Sequence, residues 1–436
     1  MQQLTTGEGH FDDQNHHINT FTFEMEILKR NDLFLFKHGY KNGIFDEEVD
    51  GPLHWALQNE LIEAALYVIK EGEDTNRPDS KQRSPLEVAL EENYLDVFKA
   101  LVENKADVNF VATNNHSLVN SAIFQDKDEF AEILIDNGAN VNWVHPNSNR
   151  TYLHFAAFYG IVNIAKKLIK NGAEIDAKTD HQSTPLYIAS GGGHQEIVEM
   201  LINMGANLNS VNQSNETPLL PAAFYGFTDI AKILLKNGAD ITAKNSHLQS
   251  PLFLASAKGH QEIVEILINM GSNLNCVDQS NDTALHAAAF YGFTDIAKIL
   301  IKNGADITAK NNLLNSPLLM ASAKGHQEIV EILLENGASL NMKDIFNNEP
   351  IHLASLKGHI QCVKILIQHG AHLDHRGKDS LTPLQWALYK NHTAIAQMLL
   401  NYGANFNIKD NVGLYPMEQA MTKKALNRFK LLAFFN

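Results

Sequence analysis

Over residues 283–316 the apolar positions recur at helical spacing in two short blocks separated by glycine. Thr283 can cap the first block through its side-chain oxygen, Leu285 points into a core, and the small Ala288 and Ala289 let a neighbouring helix approach closely. Gly292 is expected to stop this helix in a left-handed conformation, and Thr294 to cap a second one. In that second helix Ile296, Ile299 and Leu300 form a buried stripe while Asp295 and Lys298 face solvent. Gly304 ends it, and the polar segment 305–316 is predicted to fold out as a β-hairpin finger.

This block is one copy among many. Residues 283–348 repeat 47 of the 66 residues at 217–282 without a gap. A shorter beat of 33 residues runs through the chain, opening at Gly51, Ser84, Ser117 and, after one extra residue, Thr151. It continues at Thr184, Thr217, Ser250, Thr283, Ser316, Glu349 and Thr382, and Tyr415 opens a last, truncated unit. Half of the twelve openings read Thr or Ser, then Pro, then Leu. Proline suits the first helical position, where a missing N–H costs nothing. No such helix pair can bury its apolar face alone, so neighbours must stack and the ends need caps.

The period and the recurring Thr-Pro-Leu-His theme resemble the ankyrin repeat. The resemblance implies an all-α-dominated repeat solenoid, elongated and curved, of helix-turn-helix units with β-hairpin fingers. Residues 51–414 divide into eleven repeats, preceded by a disordered leader at 1–17 and capping helices or a degenerate repeat at 18–50, and followed by a truncated cap at 415–436. In that cap Leu431, Leu432, Phe434 and Phe435 are expected to cover the last core layer, a C-terminal sorting or secretion signal being the alternative. The repeat at Ser117 is weak. It lacks proline and carries Asp126 where glycine would stop the helix, and the next finger, with Trp143, Val144, His145 and Pro146, is unusually apolar.

Charge changes the picture at one end. The net charge of −15 is concentrated in residues 1–116, which hold 22 acidic and 10 basic side chains. Nucleic-acid binding is excluded, because it needs a basic footprint to neutralise phosphates. No apolar run approaches the roughly 20 residues that cross a bilayer. Two cysteines, Cys276 and Cys362, fit no disulfide or metal spacing and favour a reducing compartment, so a cytoplasmic setting is expected, or the cytoplasm of a host cell if the chain is a delivered microbial effector.

Candidate chemistry thins out once it is read in register. His54, His154, His286 and His352 share one motif position, where the resemblance implies a hydrogen-bonding role inside the repeat. His194, His260, His326 and His359 recur after glycine in the inter-helix turn. Gly191-Gly192-Gly193 lies in register with Ala257-Lys258-Gly259, a helix-to-helix turn with no preceding strand, and so is not a phosphate loop. No catalytic pairing, metal site or cofactor site is expected.

The positions that the resemblance leaves to partners are the end of the first helix and the finger tips. At the helix ends stand Phe158-Tyr159, Phe224-Tyr225 and Phe290-Tyr291, with Lys258, Lys324, Lys357 and Lys390 in the other repeats and Tyr389 beside the last. At the tips stand Leu313, Ile345 and Phe346. These residues predict a protein-interaction scaffold, monomeric, whose groove alternates aromatic and cationic groups and takes a partner segment carrying acidic and apolar residues. The competing expectation is that one ring of each pair packs against the next repeat. An adaptor activity in the terminal caps is a further alternative. Asn109, within the segment ending Asp107-Val108-Asn109, resembles the asparagine that a hydroxylase modifies in ankyrin repeats, although a hairpin hydrogen bond would equally place an asparagine there.

Overall fold

The structure, a computed structural model, describes residues 26–27, 30–45, 50–111, 116–416 and 418. The leader at 1–17, much of the 18–50 segment and the apolar C-terminal residues Leu431 to Phe435 lie outside them. The chain divides into two compact units, residues 1–180 and 181–436.

In each unit short helices alternate as antiparallel pairs. The first unit holds Leu33–Lys41 followed by four pairs, from Gly51–Gln58 with Ile62–Glu71 to Tyr152–Tyr159 with Val162–Lys170. The second holds seven pairs, from Pro185–Gly192 with Gln195–Asn203 to Pro383–Tyr389 with Thr393–Asn401. Within each unit the first helices of successive pairs pack side by side, as do the second helices, giving two parallel layers. Alanines explain the close first-helix layer. Ala222, Ala255, Ala288, Ala321 and Ala354 are fully buried, one per pair.

The helix starts and stops follow from local chemistry. Thr283 accepts from the His286 amide, while its own N–H donates to His286 Nδ1 at 3.2 Å, a closed capping box. Gly292 takes φ +87°, and a Cβ there would meet the His326 ring at 2.5 Å, so glycine is required both by the backbone and by its neighbour. In the first unit Glu60, Asn93 and Asp126 stand in the left-handed turn instead, Asp126 at φ +57°.

Thr294 is a correction. It lies inside the second helix, whose N-cap is Phe293 with no side-chain cap, as Phe227 is for Thr228–Lys236. The turn at Gly292 already engages the backbone: Thr294 N–H donates to the Gly292 carbonyl at 3.0 Å and Phe293 N–H to Ala288. In the second unit the cap position is filled by His or Phe, as by Phe293, whose ring lies against Gly259 of the preceding repeat.

The fingers close as hydrogen-bonded turns. Asn311 Oδ1 accepts from the amides of Leu313 and Asn315, and each tip donates one amide to the tip before it, as from Asn312 to Ser280 at 2.9 Å and from Ile345 to Leu313 at 3.1 Å. Among the described residues the only β pairings are two isolated bridges, Val111 with Ser117 and Val144 with Thr151. The apolar finger anticipated around Trp143 is explained by packing, since the Trp143 ring stacks on Tyr152 at 5.4 Å.

Candidate functional site: the aromatic and cationic face

In the second unit the two rings of each helix-end pair have different neighbours. Phe224 is half-buried and packs, with Ala257, against the buried cluster of Leu220, Phe253, Leu254 and Ala287, most of which belongs to the following repeats, whereas Tyr225 is 58% exposed. In the copy Phe290 is 37% and Tyr291 55% exposed. Each pair meets edge to face, with centroids 4.9 Å apart in the first and 5.0 Å in the second.

The lysines do not stand apart from these rings. Lys258 places its ammonium 4.3 Å from the centre of Phe224, and Lys324 places its own 4.0 Å from Phe290. What reads along the chain as alternating aromatic and cationic slots is, in space, a set of composites. Each joins one ring, the lysine of the next repeat over its face, and an exposed tyrosine at its edge. The next repeat also supplies the histidine of its turn: His260 Nε2 donates to the Phe224 carbonyl at 2.9 Å and His326 Nε2 to Phe290 at 3.1 Å. Helix end, ring and cation are thus held from both sides.

The remaining expected positions are less alike. Lys357 is exposed and follows Leu356, so no ring precedes it in its own helix. Lys390 lies 5.4 Å from the ring of its chain neighbour Tyr389, which itself meets Trp386 edge-on. At the finger tips Leu313, Leu314, Ile345 and Phe346 are each about half exposed, and Lys378 covers the Phe346 ring at 4.7 Å. Leu314 holds φ +56° and Leu248 φ +60°, a conformation that the equivalent Asn281 and Asn347 adopt at lower cost.

In the first unit Phe158 and Tyr159 belong to a wider ring cluster. Phe124 contacts Phe155 at 5.2 Å, Tyr159 at 6.0 Å and His116 at 5.6 Å, and His116 meets His145. Arg150 lies 6.0 Å from both the Phe155 and Phe158 centroids. Phe124, His116, His145 and Arg150 were not among the expected site residues. Register alone could have found Phe124, because it stands after Ser117 where Phe158 stands after Thr151.

A family profile described as ankyrin repeats (3 copies) matches residues 30–112, 106–179, 175–245, 246–311 and 318–410. The chain belongs to the ankyrin-repeat family. Among solved structures, the crystal structure of the human ASB11 ankyrin repeat domain is similar over 51% of this chain and 99% of that one, at 29% identity and a TM-score of 0.48. No curated protein matches the chain by sequence. Ankyrin repeats generally serve protein–protein interaction, through surfaces that stacking extends.

Other polar groups of the ankyrin array hold it together. His286 Nε2 donates to the Asn315 carbonyl at 3.0 Å and His352 Nε2 to that of His375 at 2.8 Å, tying each helix start to the finger that follows. Burial pushes the His352 imidazole down to about 4, so it is neutral. Burial likewise raises the Cys362 thiol to about 11, which disfavours a thiolate nucleophile. Asn109 accepts from the Asn140 amide at 2.7 Å, and Asn76, Asn209 and Asn275 do the same for Asp107, Asp240 and Asp306. Gly191 and Gly192 close the helix Pro185–Gly192 and form no loop. Among the described residues no three His, Cys, Asp or Glu side chains are placed to hold a metal, and no helix is long and apolar enough to cross a membrane.

Proposed function

We propose that the second unit of this ankyrin array binds a protein segment bearing carboxylates and apolar side chains. The observation that supports this is the contrast between its lysines. Two on second helices, Lys232 and Lys298, meet carboxylates, of Glu262 at 2.6 Å and of Asp295 at 3.7 Å. Lys258 and Lys324 instead lie over rings, and among the described residues no carboxylate pairs with them. An ammonium on an aromatic face keeps donors to offer a carboxylate, while the tyrosine beside it offers rigid contact area. The strained, exposed Leu314 and its neighbours at the tips extend the apolar part of the surface.

Panning a random peptide display library on the native chain tests the reading. Selected peptides are expected to combine Asp or Glu with Phe, Leu or Tyr, and to lose binding to the folded variant carrying Tyr225→Ala, Tyr291→Ala, Lys258→Gln and Lys324→Gln. Selection of basic or purely polar sequences, or equal binding to the variant, would overturn it. Asn109 remains a proposed hydroxylation position, to be read by mass spectrometry of the native protein. Its side chain is already bonded across repeats, so the modification would have to displace or share that contact.

A further inference from the structure

The duplication at 217–282 and 283–348 copied more than a fold. Its two composites agree in their ring and cation geometry, although Phe290, 37% exposed, is less covered than half-buried Phe224. The cation-to-ring distances are 4.3 and 4.0 Å, the Phe–Tyr pairs meet at 84° and 77°, and the second contact of each tyrosine, to Phe227 and to Phe293, is 6.1 and 6.2 Å. The histidine bond from the next repeat is present in both. Each composite spans two repeats, the ring pair coming from the first and the lysine from the second, so equivalent atoms of the two composites lie two repeats apart. With roughly 8 to 10 Å per helix layer, two layers place them roughly 20 Å apart.

We infer that Phe224–Tyr225–Lys258 and Phe290–Tyr291–Lys324 are two equivalent subsites, and that the partner is a linear segment carrying two acidic-apolar elements spaced to reach both. This rests on the proposed acidic-apolar recognition and adds its valency. The physical argument is that identical geometry recognises identical chemistry. A single element would find two equal places, and a partner with two elements would gain from the second contact by effective concentration, with no new kind of contact. An extended chain covers roughly 20 Å in about six residues and a helix in about thirteen.

The test uses the full chain and synthetic peptides. One carries a single Glu-Phe-Glu element. A second carries two such elements joined by about 14 Gly/Ser residues, whose root-mean-square span is about 20 Å. A third joins the two elements directly, so that its Phe residues stand three positions apart and reach only about 10 Å. By calorimetry the single-element peptide is expected to bind twice per chain, and once after Lys258→Gln or Lys324→Gln. The long two-element peptide should bind about 10²-fold tighter, and the directly joined one no tighter than the single element. Tyr225→Ala and Tyr291→Ala should reproduce the loss of one site each by a second route, with circular dichroism confirming the fold. A stoichiometry other than two, loss of both sites by one substitution, or no gain from the long linker overturns the two-subsite inference and leaves acidic-apolar recognition standing. No binding of any peptide to the native chain overturns both.

Discussion

The ammonium of Lys324 sits 4.0 Å from the centre of the Phe290 ring, which belongs to the preceding repeat. A partly exposed pair of this kind contributes about 0.5–1 kcal/mol. It also couples two repeats at the surface, beside the hydrogen bonds that link their turns and fingers. A double-mutant cycle with Lys324→Met and Phe290→Leu is expected to show a coupling of about that size in chemical denaturation. Additive effects would mean that the geometry carries no interaction energy.

Leu314 illustrates a cost that its neighbours avoid. At φ +56° a leucine is strained by about 1–2 kcal/mol, and at 44% exposure it recovers little by burial, whereas Asn347 holds φ +66° in the next finger. Leu314→Asn is therefore expected to stabilise the array by about 1 kcal/mol while weakening partner binding. If the denaturation midpoint falls, the leucine is packing against something that its exposure does not reveal.

How much of this was legible along the chain depends on distance. Thr283, His286 and Gly292 were readable because capping is settled within one helical turn. Thr294 looks like a cap because its hydroxyl stands at a helix start, but the helix begins at Thr294 itself, one residue earlier than the spacing suggests. Phe224 and Tyr225 are adjacent in sequence and differ only in which side of the helix faces the next repeat, so packing alone decided which one stays exposed. That Lys258 covers Phe224 depends on how one repeat is placed on the next, which no spacing within a repeat reveals. Phe124 is within reach of register, since it stands after Ser117 where Phe158 stands after Thr151.

Four serines mark a second inefficiency. Ser190, Ser256, Ser322 and Ser355 are fully buried in first helices, and their hydroxyls have no hydrogen-bond partner. Ala223 and Ala289 occupy the same position in the alternate repeats and are equally buried. A buried hydroxyl without a partner costs on the order of 1 kcal/mol or more, and alanine also favours the helix. Ser256→Ala and Ser322→Ala are each expected to raise the denaturation midpoint, by about 1 kcal/mol of stability. A destabilising outcome would show that the hydroxyl is satisfied in solution.

His352 gives the array a pH dependence with a definite sign. Its ring is buried, donates from Nε2 to the His375 carbonyl and accepts at Nδ1 from the Glu349 amide, while His375 and Lys343 nearby further oppose a second proton. With a folded value of about 4 against an ordinary value of 6.5, the unfolded chain takes up the proton first. The stabilisation by the neutral ring is therefore whole above pH 6.5 and is withdrawn as pH falls from 6.5 towards about 4, amounting to about 3 kcal/mol when complete. Gln385 shows the uncharged alternative at the same motif position, accepting from the Thr382 amide at 2.9 Å and donating to the Ile408 carbonyl at 3.1 Å. His352→Gln should thus keep the stability of Pro350–Lys357 at pH 7.5, read by amide hydrogen exchange, and flatten its loss between pH 6.5 and 4. A slope unchanged by the substitution would assign the acid sensitivity of this helix to groups other than His352.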